Sequence, residues 1–221
     1  LSEIIIKDLG SDQEHPVSFP DESYTASGFS TNFTLNDIRI NYSSLGRPNT
    51  LYSYKNANKE PLEILKTQEI PSGFNPNEYM VKRLLADNNG TAVPISLIYK
   101  KSLFKADGSN PLYLYGYGSY GISIAPAFRS NIFSLIDRGF IFAIAHIRGG
   151  DDLGYDWYED AKFLNKKRTF DDFIACSEHL IKEQYTSQGN IVICGGSAGG
   201  LLVGAVMNQR PELYKAVIAH V

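Results

Sequence analysis

The run from Asn190 to Leu201 constrains this chain more than any other stretch. Ile191, Val192 and Ile193 are apolar and β-branched and read as a short buried strand. Gly195 to Gly199 then spell G-x-S-x-G, and Leu201 to Asn208 continue with helix formers. A serine at a tight strand-to-helix turn needs glycine on both sides, because no side chain fits so close to it. Ser197 would stand clear of the backbone, with a helix N-terminus behind it that favours developing negative charge. The same glycines could instead open a phosphate-binding helix. The missing Walker lysine and GxGxxG spacing argue against that alternative.

Composition narrows the class. Across 221 residues, 43% hydrophobic and 20% charged content describe a globular protein with room for one large domain or one and a half ordinary ones. A net charge of -3 leaves no electrostatic footprint for nucleic acid or an anionic membrane. Apolar runs stay under ten residues, too short to span a bilayer, and no charged-then-apolar leader precedes them. A first residue that is Leu1 rather than Met reads as a fragment or a processed chain. Cys176 and Cys194 make neither a disulfide framework nor a metal site and fit buried thiols in a reducing cytosol. The glycosylation patterns at Asn32, Asn41 and Asn89 are read as coincidence.

Residues 1 to about 70 alternate as short strands: Ile4 to Ile6, Phe33 to Tyr42, Thr50 to Lys55 and Leu62 to Lys66, with a turn over Asn56 to Lys59. Three or four antiparallel strands bury too little to stand alone, and they fit one blade of a propeller or a small appended sheet. Ile70 to Asn77 is a turn-rich connector and the expected domain boundary. Beyond it, Tyr79 to Ala86 and Ala92 to Lys100 form a hairpin around Asn89-Gly90. Pro111 to Tyr115 is a strand, Ala127 to Arg138 an amphipathic helix stopped by Gly139, and Phe140 to Ala145 a continuous apolar strand. Thr169 to Asp172 reads as a capping box opening a helix with Phe170, Phe173, Ile174, Leu180 and Ile181 as its stripe. After the elbow and its helix, Ala216 to Ala219 begins another buried strand. The fold class is therefore α/β, with a parallel sheet covered by helices on both faces behind a small β unit.

Six motifs occur in order: Leu114 to Gly121 (LYGYGSYG), Ile147 to Gly150 (IRGG), Trp157 to Asp160 (WYED), Thr169 to Phe173 (TFDDF), Gly195 to Gly200 (GGSAGG) and Asn208 to Leu213 (NQRPEL). Together they resemble the prolyl oligopeptidase family of serine peptidases, most of all its oligopeptidase B (protease II) branch. The resemblance implies that residues 1–70 are the closing blade of a β-propeller with its linker. It implies that residues 71–221 are the N-terminal part of an α/β-hydrolase peptidase domain. Ser197 matches the family nucleophile, Tyr117 the tyrosine whose hydroxyl helps form the oxyanion hole, and Ala198 the residue giving the backbone N–H there. Two such donors about 3 Å from the oxyanion are what acyl transfer requires. Tyr120 matches a position lining the primary specificity pocket. Arg148 reads as a structural ion-pair residue.

Two departures stand out. Oligopeptidase B relatives carry an acidic pair where Ala125 and Ala127 stand here, and Ile122 to Pro126 is similar to the prolyl oligopeptidase branch instead. Asp151 and Asp152 keep acidity nearby, as a solvated loop or a subsite. In α/β-hydrolases the acid and the histidine follow the serine, yet the 24 residues after Ser197 hold only His220, inside the last strand. His15, His146 and His179 precede it. The resemblance implies short peptide substrates and cleavage after Arg or Lys; cysteine usage points to a cytoplasmic site of action, and charge, apolar run lengths and motif spacing to no cofactor and no nucleic-acid or membrane partner. The isolated chain is expected to be inactive and to expose an apolar edge at its last strand. The alternatives are a non-catalytic remnant of a peptidase gene, or an esterase or acyl-peptide hydrolase using the same elbow.

Overall fold

Short extended runs build three sheets among the described residues, and a computed structural model describes them over residues 3–29, 37–55 and 62–220. Two compact units result: Leu1–Pro76 with Ala125–Arg129, and Asn77–Ile124 with Ser130–Val221. The strand expected over Phe33 to Tyr42 is described only from Asp37 onward, and the turn over Asn56 to Lys59 lies outside the described residues.

In the first unit, β1 (Ile5–Lys7) and β2 (Glu14–Pro16) form an antiparallel pair. The strands β3 (Tyr24–Phe29), β4 (Asp37–Ser44), β5 (Arg47–Lys55) and β6 (Glu63–Thr67) follow as an antiparallel meander in chain order. Ile40, Tyr42, Tyr52 and Tyr54 point to one face and close over Ile6 and Val17. Phe19 stacks on Tyr42 at 5.0 Å between ring centroids. Burying so many phenols obliges their hydroxyls to find partners. Asp21 answers: Tyr42 Oη and Ser44 Oγ each donate to it at 2.7 Å, and Arg47 Nε lies 3.1 Å away. Burial, aided by the Asp21 carboxylate, pushes the Tyr42 hydroxyl far above the usual phenol range. Ala125–Arg129 belongs to this unit, where the amide of Phe128 donates to Ser43 Oγ at 3.0 Å and its ring meets Phe74 edge-on.

The second unit is a six-stranded mixed sheet. Its strands are β7 (Tyr79–Asn88), β8 (Thr91–Lys100), β9 (Leu112–Tyr115), β10 (Ile141–Ala145), β11 (Ile191–Gly196) and β12 (Tyr214–His220), in spatial order β12-β11-β9-β10-β8-β7. The four strands from β12 to β10 run parallel, and the β7–β8 hairpin extends them antiparallel. Asn89 and Gly90 both take positive φ, 51° and 87°, the pair of left-handed residues that a two-residue hairpin turn requires.

The helices are α1 (Phe133–Ile136), α2 (Tyr155–Glu159), α3 (Lys167–Lys182) and α4 (Ala198–Gln209). Phe173, Cys176 and Leu180 of α3 and Leu202, Val203 and Val206 of α4 pack on Leu112, Leu114, Ile141, Ala143, Ile191 and Ile193. On the opposite face, Phe142 and Ile144 are equally buried, and α1 lies against β10 and β8. Tyr79 meets Phe133 of α1 edge-on, whereas its neighbour Met80 faces the α3–α4 cluster. Both faces are thus covered, as near-continuous apolar strands demand.

Three expectations need correction. Ala127 to Arg138 is not one amphipathic helix: the first residues pack with the N-terminal unit, and helix is confined to Ser130–Ile132 in 3-10 form and α1. Thr169 to Asp172 is no capping box, because α3 begins at Lys167 and Asp172 is taken by an arginine. Strand β12 is not buried: it is the sheet edge among the described residues, with Ile218 exposed, which is the apolar edge expected at the last strand. No helix among the described residues is long and apolar enough to cross a membrane.

Tyr79 ties β7 to the end of α1, donating to Asp137 Oδ1 at 2.8 Å. Burial first, and then this hydrogen bond, raises its hydroxyl to about 12. A raised folded value means stability that is complete below the unfolded value of about 10 and is lost as pH climbs toward 12. Tyr79→Phe is expected to cost about 1 kcal/mol at neutral pH. It should also shrink the alkaline loss of stability, measured by urea denaturation at pH 8, 10 and 12; an unchanged alkaline slope would count against this role.

Candidate active site

The turn after β11 sets the site. Gly195 is packed so closely that a Cβ would lie 2.1 Å from the Gly199 carbonyl oxygen, so the first glycine of the motif is a steric necessity. Ser197 follows at φ 52°, ψ -118°, a conformation that non-glycine residues rarely hold and that costs about 1–3 kcal/mol. Its amide donates to the carbonyl of His220 on β12 at 2.9 Å, and its carbonyl accepts from Gly200 at 2.9 Å. The side chain is exposed at the mouth of a twelve-residue helix. Ala198 is the first residue of α4, so its N–H has no acceptor inside the helix and is available to an incoming anion.

Tyr117 lies in the loop that continues β9. Its ring carbon Cδ2 comes within 3.5 Å of where a Gly199 Cβ would stand, which places it against the first turn of α4. Tyr120, at φ 58° and 74% exposed, reaches the wall of a cavity of about 270 Å³. Ala198, Leu201, Tyr158, Phe163, Lys162 and Lys166 share that wall. Four residues singled out from sequence, Ser197, Ala198, Tyr117 and Tyr120, are thus gathered where β9 and β11 end. Lys162, Lys166, Tyr158 and Phe163 carry no signal as cavity residues in the sequence, since charged and aromatic residues there read equally well as a solvated surface.

Behind the cavity runs a buried ion pair. Arg148 Nε and its backbone N–H reach Asp172 Oδ2 at 2.9 and 3.0 Å, and Nη2 reaches Oδ1 at 2.7 Å. Asn88, at the hairpin tip, donates to the same carboxylate at 2.7 Å. Arg148 Nη1 extends to Asp160 at 2.9 Å, and Arg168 meets Asp160 from outside. The hydrogen bonds to Asp172 hold the guanidinium above its usual range, and those from Arg148 hold the Asp160 carboxyl below the usual one. Arg148 is therefore an ion-pair residue, as its motif implied. Gly149 beside it has φ 99°, and a Cβ there would lie 2.2 Å from the Gly118 carbonyl oxygen.

The histidines stand elsewhere. His146, buried after β10, takes Ser96 Oγ at 2.6 Å and Asp152 at 2.8 Å. Asp152 is accordingly turned inward, while Asp151 bonds Ser123. His179 is half-buried on α3, with its pKa lowered by desolvation, and His15 bonds Tyr54 in the first unit. His220 is exposed on β12 and not packed. Among the described residues the Ser197 hydroxyl has no histidine as a hydrogen-bond partner.

A serine on a strained strand-to-helix elbow, above a mixed sheet covered on both faces, defines an α/β-hydrolase domain. Comparison with known proteins carries this further. Residues 126–221 match the prolyl oligopeptidase family, and residues 1–68 match the N-terminal β-propeller domain of prolyl oligopeptidase. The chain belongs to the prolyl oligopeptidase family. It is 42% identical over 202 residues to dipeptidyl aminopeptidase BI of Pseudoxanthomonas mexicana, covering 90% of this chain and 28% of that protein. It is 37% identical to protease 2 of Moraxella lacunata, covering 91% of this chain and 29% of the relative. Oligopeptidase B from Trypanosoma brucei with covalently bound antipain superposes with a TM-score of 0.81 at 41% identity, over 93% of this chain and 29% of that one. The chain spans less than a third of the length of each of these relatives.

Because Arg148 is nearly buried, neutralising Asp172 leaves the arginine's charge with only the half-exposed Asp160 as a partner. Asp172→Asn is expected to destabilise the protein by about 3–5 kcal/mol. Asp160→Asn, at a carboxylate 44% exposed, should cost under about 1 kcal/mol. Equal losses from the two in urea denaturation would refute the assignment of Asp172 as the anchor.

Proposed function

We propose that the protein carrying these residues hydrolyses peptide bonds of short peptides by acyl transfer to Ser197. The Ser197 oxygen attacks the scissile carbonyl as its proton passes to a general base, the amine leaves with that proton, and water then displaces Ser197 from the acyl group, returning the serine its proton. The Ala198 N–H and the Tyr117 hydroxyl stabilise the oxyanion, and Tyr120 packs on the substrate residue before the scissile bond. The observation that carries the reading is the strained, exposed Ser197 at the N-terminus of α4. Residues 1–70, as the closing blade of a propeller, would limit access to short peptides. The buried free thiols of Cys176 and Cys194 agree with a reducing, cytoplasmic setting.

For the substrate residue before the scissile bond, resemblance to oligopeptidase B favours Arg or Lys. Tyr120, Tyr158 and Phe163 offer aromatic walls that suit its aliphatic stem. A second reading has its own support. Lys162 and Lys166 face the same cavity, no carboxylate lines it among the described residues, and alanines occupy positions 125 and 127. These features suit an uncharged residue such as proline. Comparing kcat/KM for peptides with Arg or Pro at that position decides between them.

The native gene product is expected to label with a fluorophosphonate and to lose both label and hydrolysis on Ser197→Ala. Tyr117→Phe should lower kcat by about two to three orders of magnitude. The isolated 221-residue chain should hydrolyse peptides about six orders of magnitude more slowly than the native product, as expected of a serine without its base. Labelling that survives Ser197→Ala, or an isolated chain that turns over, would overturn the reading. A native product that never labels would make the chain a non-catalytic remnant, and ester turnover without peptide turnover would make it an esterase.

A further inference from the structure

Lys166 stands at the N-terminus of α3, within a run of three cations that otherwise face solvent. Its ammonium instead turns toward the loop after β9, donating to the Gly118 carbonyl and, at 2.7 Å, to Ser119 Oγ. Its neighbour Arg168 pairs with Asp160, but no carboxylate among the described residues pairs with Lys166. Burial alone holds the ammonium below the usual lysine range. A half-buried cation that spends its donors on a backbone carbonyl and a hydroxyl is a costly way to make a surface.

What it grips is a closely packed part of the site. A Cβ on Gly118 would lie 2.5 Å from Thr169 Cγ2 and 2.7 Å from Ile147 Cγ1. The Gly118 carbonyl is pressed against Gly149, and the Gly121 amide donates to the Gly149 carbonyl at 3.0 Å. Tyr117 immediately precedes this clamped residue and lies against the elbow helix. Gly118 has φ 67°, a conformation that favours glycine, and glycine has no side chain to hold the loop.

We propose that Lys166 is a positioning residue, which fixes the backbone of the 117–119 loop so that the Tyr117 hydroxyl meets the developing oxyanion. The proposal rests on the reading of Ser197 and Tyr117 given above. Lys166 acts through Tyr117 and not through the substrate, although its side chain shares the cavity wall. The sequence does not reveal this role, because Lys166-Lys167-Arg168 has the pattern of an ordinary charged helix start.

A double-mutant cycle in the native gene product tests it. Lys166→Met is expected to lower kcat about 30-fold with KM changed less than about two-fold, the pattern of an interaction made only in the transition state. In a Tyr117→Phe background the same change should cost under about three-fold, because the group it positions is already gone. Lys166→Arg, which keeps cation and donors, should recover most of the loss. Equal losses in both backgrounds, or a raised KM with unchanged kcat, would overturn the proposal. If Lys166→Met fails to fold, Lys166→Gln enters the same cycle. Ser197→Ala and Tyr117→Phe, assayed alongside, report on the underlying reading by themselves. With both behaving as expected, an additive cycle counts against Lys166 alone.

Discussion

The fork between Arg148 and Asp172 is the interaction on which the arrangement of the α/β unit depends. One carboxylate, fully buried, receives a guanidinium, a backbone amide and the Asn88 side chain. Those donors come from the loop after β10 and from the tip of the β7–β8 hairpin, while the acceptor sits on α3. Two charges taken from water are tolerated when hydrogen bonds replace the lost hydration, and here four donors reach the two oxygens of Asp172. With α3 fixed relative to that loop, Gly149 can press on Gly118, and the Tyr117 loop has only one place to go. The elbow supplies the other wall, since Gly199 packs against the Gly116 carbonyl.

How far the sequence foretold this depends on the kind of constraint. The elbow was legible because sterics there admit only glycine, and sterics leave a pattern of fixed spacing. The Asn89-Gly90 hairpin was legible for the same reason. Pairings across the fold leave no such pattern. Thr169 to Asp172 has the spacing of a capping box, but tertiary contact claims Asp172 for Arg148, and α3 begins three residues earlier. The helical period over Ala127 to Arg138 was real, yet Phe128 found its partner in Phe74 and the helix shortened to one turn. The apolar run of Ala216 to Ala219 reads as a buried strand, yet its place at the sheet edge among the described residues is the apolar edge expected of the last strand.

Tyr117 and Tyr120 show an intermediate case. Composition and period said only that a tyrosine-rich loop follows a strand. Resemblance to a known family gave the two residues different tasks, and the coordinates set them in different surroundings, one half-buried against α4 and the other 74% exposed on the cavity. Lys166 escaped both routes, because neither a charge run nor a motif says which way one lysine turns.

The hydrogen-bonded row Ser96, His146 and Asp152 carries a consequence of its own. By distance alone it has the connectivity of a catalytic triad, serine to imidazole to carboxylate, at 2.6 and 2.8 Å. Ser96 is 0% exposed in the middle of β8, so no acyl group can reach it. Access therefore separates the two serines. The one with a histidine is sealed inside as a structural strut, and Ser197 stands open to solvent on a strained turn at a helix end. Of two hydroxyls of identical chemistry, one is a girder out of reach of water, and only the other meets it.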